Sequence, residues 1–185
     1  ATVPVALRLW PRPTLLIAVA LAAAAVAWHL HSMRQVLREG MRRELGGSFQ
    51  LVRAGWVGLV ATLALAAWWA LDPSRKGLAA ALVACAVAGW LSSFLFGILQ
   101  RIVPFLLSMH LAGARRRAPT PSSLTDERAL AVHRVAHIAA LTLFAGALLL
   151  DQPLLLVAAA AAGTVGAAAF RIFLGTAIRR ARKAQ

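Results

Sequence analysis

Long apolar runs alternate with short polar breaks along this chain. The runs lie at residues 14–33, 54–71, 77–100, 129–150 and 153–178 and consist mainly of Ala, Leu, Ile and Val. Each is close to the ~20 residues that an α-helix needs to cross the hydrocarbon of a bilayer. Within a run no polar stripe recurs at helical spacing, the pattern of a helix surrounded by lipid and other helices and not of one lying on a soluble core. The expected fold is therefore all-α: an integral membrane bundle of about five transmembrane helices forming a single domain over residues 1–185.

The breaks carry their own signals. After Met33 the first helix is expected to continue to Leu45 outside the bilayer, because Leu37, Met41 and Leu45 keep one four-residue spacing and Arg34, Arg38 and Arg42 another. Gly46 and Gly47 break it, and Ser48 stands where a helix N-cap is wanted. Asp72, Pro73 and Ser74 predict a tight turn. The third run continues beyond Gln100 through Arg101 and Pro104 to His110, too long for an upright span, so a kink or tilt is expected near Pro104. Residues 113–121 read as the one real loop. Ser123 and Asp126 read as a capping box for the fourth span, with Glu127 in its first turn, and Asp151 to Pro153 make a short turn before the fifth.

Charge orients this bundle. Apart from Arg8, Arg12, Arg75 and Lys76, all of the 20 Lys and Arg residues fall at alternate breaks. The positive-inside rule makes those breaks cytoplasmic, which puts the N-terminus outside and the C-terminus in the cytoplasm. Arg8 and Arg12 would then have to be translocated ahead of the first span, which a preceding membrane segment would explain; no cleavable signal-peptide pattern is present. A composition that is 61% hydrophobic makes the bilayer the solvent for most of the chain. The net charge of +14 would otherwise point to nucleic acid, but these arginines flank apolar spans and match anionic lipid headgroups, so membrane lipids and other membrane subunits are the expected partners and nucleic acid is not. Abundant arginine and alanine fit a GC-rich bacterial coding bias and a bacterial inner membrane. The single cysteine, Cys85, excludes an internal disulfide and reads as a small packing residue.

Residues 97–110, Gly-Ile-Leu-Gln-Arg-Ile-Val-Pro-Phe-Leu-Leu-Ser-Met-His, resemble a segment of bacterial multi-pass proteins distantly related to the catalytic subunit of haem-copper oxidases. A basic stretch before the second helix, a hydrophilic loop and two closing helices are similar as well. The resemblance implies that the chain corresponds to the C-terminal half of such a protein. That half provides a membrane scaffold with a respiratory association, and the family's histidine-rich motif lies in the other half.

Five histidines are the conventional haem or metal candidates. His133 and His137 share a helix face; His29 and His31 do not. If haem is held here, the charge-derived topology brings His29, His110 and His133 or His137 to one depth, near the cytoplasmic ends of their helices. The alternative is that they are ordinary solvated imidazoles at the interface. No catalytic residue stands out. Ionisable residues at mid-depth, which a pump or transporter needs, are missing from the runs, and Ser92 and Ser93 have neither histidine nor carboxylate near them in sequence. Gly89, Ser93 and Gly97 recur every fourth residue, a small-residue stripe for close helix packing or for docking a partner subunit. Tryptophans 10, 28, 56, 68 and 69 fall near the predicted interfaces, and Trp90 lies deeper. Arg115, Arg116 and Arg117 are the expected contacts to anionic lipid or an acidic partner. The functional expectation is a non-catalytic scaffold or accessory subunit of a bacterial inner-membrane respiratory assembly. The alternative is the C-terminal half of a haem-binding oxidoreductase-like or nitrogen-oxide-related membrane protein.

Overall fold

The computed structural model describes residues 12–39, 46–75, 77–112 and 119–184. Among them are six helices and no strand: α1 Arg12–Glu39, α2 Phe49–Leu71, α3 Leu78–Ala112, α4 Pro121–Leu124, α5 Glu127–Leu150 and α6 Pro153–Lys183. All except α4 are long and apolar enough to cross a membrane, so the chain is a multi-pass helical bundle. Arg42 and Arg43, Met41 and Leu45, Trp10, Arg8, Lys76 and the Arg115–Arg117 cluster lie outside the described residues.

Several breaks follow directly from backbone chemistry. Gly77 opens α3 at φ 80°, a left-handed conformation that costs a Cβ-bearing residue and costs glycine nothing. Asp151 closes α5 in the same region at φ 52°, which a short polar side chain tolerates, and Pro153 at the first position of α6 needs no N–H donor there. In the α2–α3 turn the Asp72 carboxylate accepts from the Ser74 hydroxyl at 2.6 Å and from its N–H at 3.3 Å. The guanidinium of Arg75 then lies 4.5 Å over the Trp68 ring.

The expected capping box is resolved differently. Thr120 caps the one-turn α4, and Asp126 alone caps α5 by accepting from Ala129 N–H at 3.1 Å. Ser123 instead donates its hydroxyl to the Thr120 carbonyl. Pro121 and Thr120 supply a separate start signal, so one helix ends before the next begins. Ser48 occupies the N-cap position of α2 but makes no side-chain capping bond.

Helix α3 departs from α-geometry at a second place that the sequence does not announce. Pro104 sits buried inside a continuous helix, whereas Cys85–Ser92 winds as a π-helix. The looser coil leaves carbonyls accessible to side chains five residues on: Ser92 Oγ donates to Val87 O at 2.9 Å and Ser93 Oγ lies 3.4 Å from Ala88 O. At 35 residues α3 is roughly 50 Å long, so it tilts or projects beyond the bilayer.

Gly89 and Gly97 face α2. A Cβ on Gly97 would stand 2.8 Å from Val52 Cγ2, and one on Gly58 of α2 would stand 2.5 Å from the Gly89 carbonyl carbon and oxygen. The stripe is thus occupied by contact within the chain. Helices α5 and α6 form the second closely packed pair, with Gly166 against Ala136 and His137. Near the turns that carry Asp72 and Asp151 the pairs diverge, leaving an apolar cleft of about 400 Å³ among α2, α3 and α5. At the opposite end Leu111, Leu124 and Ala181 make a small core, and Arg180 clamps it by donating to the carbonyls of Ser123 at 3.1 Å and Thr125 at 2.8 Å. That end gathers the start of α2, the C-terminal half of α3, α4, the start of α5 and the end of α6, and with them most of the described arginines.

Candidate functional site

Among the described residues, a polar cluster lies where α3, α5 and α6 meet. His133 and His137 are one turn apart on α5, so their rings stack, with centroids 5.7 Å apart and planes 25° off parallel. Gly166 of α6 has no side chain to hold the backbones apart. A Cβ there would meet Ala136 Cβ at 3.5 Å, and the resulting close approach brings the Gly166 carbonyl to 2.9 Å from His133 Nδ1. A carbonyl can only accept, so Nδ1 carries the proton; in the neutral tautomer Nε2 then holds a lone pair. Nε2 is buried and has no partner among the described residues.

Ser93 stands at the junction where the π-helix returns to α-geometry. It is fully buried, and its hydroxyl lies 2.9 Å from His137 Nε2. The extra residue per turn in the π segment sets which face of α3 this position occupies. Phe96 meets both imidazoles edge to face, at 5.0 Å and 5.4 Å, and Phe170 closes over His133 at 5.0 Å. His133 is 2% exposed.

Two sequence expectations change here. Ser93 does have a histidine beside it, contributed by a helix 44 residues away and hence invisible locally. His133 is not a solvated interfacial imidazole; it is a core residue. His29 and His110 are exposed on other faces, and among the described residues no three His, Cys, Asp or Glu side chains come together to hold a metal.

Ser93 and His137 form the first two members of a nucleophile–base pair, but hydrolytic chemistry needs a substrate at the hydroxyl. A serine with no exposed surface offers none, and among the described residues no hydrogen bond joins a carboxylate to the His137 ring. What the arrangement does accomplish is to tie three helices together: α3 to α5 through Ser93 and His137, and α5 to α6 through His133 and Gly166. In hydrocarbon such bonds are worth about 0.6–2 kcal/mol each. Ser93→Ala should therefore cost about 1 kcal/mol, and Ser93→Ala combined with His137→Phe should cost less than the sum of the two single changes; full additivity in detergent melting would show that the pair does not interact.

Sequence reasoning missed Gln100, which is 3% exposed with both amide atoms unpartnered among the described residues. A lone glutamine between long apolar runs was the available signal. Comparison with protein-family models, with characterised proteins and with solved structures found no match to this chain.

Proposed function

We propose that this chain is a non-catalytic scaffold or accessory subunit in a bacterial inner membrane, oriented with its arginine-rich end in the cytoplasm, and that α1 carries the docking face for neighbouring subunits. The observation that supports this reading is the placement of α1. It rests on α2 through half-buried Leu15, Val19, Val26, Leu30 and Met33, and none of its residues is buried. Beside that edge, Ala18, Ala22, Ala25 and His29 follow the spacing i, i+4, i+7, i+11, and all are exposed. Lipid chains pack as well against leucine as against alanine, so an exposed small-residue lane favours another helix, whose backbone it lets approach closely. The resemblance of residues 97–110 to haem-copper oxidase relatives supports a respiratory assembly as the setting.

The test is to replace Ala22 with Trp and to resolve mild-detergent extracts of the expressing bacterium by native electrophoresis. Wild type should migrate in a stoichiometric complex with other membrane proteins, and A22W should migrate free of them while melting at the wild-type temperature. A complex that survives A22W, Ala18→Trp and Ala25→Trp alike overturns the α1 docking face; a wild-type protein that migrates alone overturns the scaffold reading.

A further inference from the structure

A second polar feature lies apart from the histidine pair, at the arginine-rich end. It is a pocket of about 360 Å³ bounded by the start of α2, the middle of α3, the region of α4 and the first turns of α5. Gln100 lines it, and the amide oxygen and nitrogen of this side chain are both buried and without a partner among the described residues. Leaving one such group unpaired costs about 1–3 kcal/mol, so its place in a cavity wall points to a polar occupant. Pro104 lines the same wall, and because proline has no N–H, the Gln100 carbonyl also lacks its helical donor.

The other walls fix the occupant's charge. Arg134 lies flat over Gly47, so close that a Cβ there would stand 2.5 Å from its guanidinium carbon, and its Nη1 is likewise buried without a partner. Arg101 supplies a second guanidinium. Gly46, Gly47 and Ser48 place the positive end of a 23-residue helix dipole at this wall; the N–H groups of Phe49, Gln50 and Leu51 already donate to their carbonyls, so the helix end contributes field and not free donors. Guanidiniums and an amide are donors for a phosphate group, and the helix dipole favours its negative charge. Glu127 also lines the pocket, and a carboxylate beside a bare anion would be repulsive. A headgroup that carries both charges resolves this: the phosphate meets the arginines and Gln100, and an amine meets Glu127.

We propose that this pocket seats the phosphoethanolamine headgroup of a membrane lipid, with the phosphate on Gln100, Arg101 and Arg134 and the ammonium on Glu127. The lipid would enter from the leaflet at the arginine-rich end, fixing α2 to α3 and α5 where the described side chains leave the pocket unfilled.

The experiment uses the full chain, delipidated in detergent, titrated with phosphatidylethanolamine, with phosphatidylglycerol of the same acyl chains, and with inorganic phosphate. Native mass spectrometry and the melting shift are the readouts. Wild type should bind and be stabilised by phosphatidylethanolamine more than by phosphatidylglycerol, with no shift from inorganic phosphate. Arg134→Gln and Gln100→Leu should each weaken the lipid by at least about tenfold, the loss expected for one charge-assisted hydrogen bond. Glu127→Gln should bring the two lipids to the same shift. Without lipid, Gln100→Leu should melt no lower than wild type because it removes an unpaired buried amide, which separates lost binding from lost folding. Equal binding by wild type and the Arg134 and Gln100 variants overturns the site. A shift from inorganic phosphate with none from either lipid overturns the lipid source, and equal wild-type affinity for both lipids overturns the role of Glu127.

Discussion

Gly58→Ala will lower the melting temperature of the detergent-solubilised protein, at a cost of about 1–3 kcal/mol for adding a single methyl. The new carbon would stand 2.5 Å from the carbonyl carbon and oxygen of Gly89 and 2.8 Å from Trp90 N. These are backbone atoms of α3, so no rotamer change relieves the clash and the helices must separate. The contact is also polar: Thr62 Oγ1 donates to the Gly58 carbonyl at 2.7 Å, and Cys85 Sγ lies 3.5 Å from it. Gly97→Leu should act in the same direction through Val52. Gly175→Ala is the contrast, since nothing lies within 4 Å of its added carbon; helix propensity alone then makes it neutral or stabilising by up to about 1 kcal/mol. Equal melting of Gly58→Ala and Gly175→Ala would refute the close α2–α3 approach.

His133→Ala should be the most damaging histidine replacement, at about 2–4 kcal/mol, because it leaves a cavity between Phe96 and Phe170 and removes the α5–α6 bond to Gly166. His133→Leu should cost less. It refills the volume and eliminates an unpartnered Nε2, losing only the hydrogen bond. His29→Ala and His110→Ala, on exposed positions, should leave melting unchanged. The order Ala worse than Leu identifies the ring as a packing element. If instead both variants are equally damaged and a visible absorption band or bound metal disappears with the ring, His133 is a ligand and the scaffold reading falls. Under that reading the visible spectrum and metal content stay the same in His133→Ala and His137→Ala.

The helical spans were legible in the sequence because hydrocarbon imposes one requirement on every residue facing it, regardless of neighbours. Runs near twenty residues, the break at Gly46, the Asp72 turn and the proline that opens α6 follow from local chemistry. The side assigned to each break rests on Arg and Lys counts alone. Helix start signals were readable but ambiguous. Ser123 and Asp126 match a capping box in spacing, and only the three-dimensional path shows that Thr120 and Asp126 cap two separate helices.

The rotation of each helix was not legible. A span that is apolar on all sides carries no stripe to say which face turns inward, so the partners of Gly89, Ser93 and Gly97 could not be read. The π-helix between Cys85 and Ser92 has no sequence signature, yet it helps set which way Ser93 faces. By itself, then, the sequence determined that this is a multi-pass helical membrane protein with its charge concentrated at alternate breaks. Only the tertiary structure decided that His133 is a core residue tied to Gly166, that half-buried His137 is tied to Ser93, and that Gln100 is buried beside a polar pocket. Those contacts join residues 33 and 44 positions apart in the chain, and they exist only because glycine and alanine let the helices come close enough for short polar side chains to reach across.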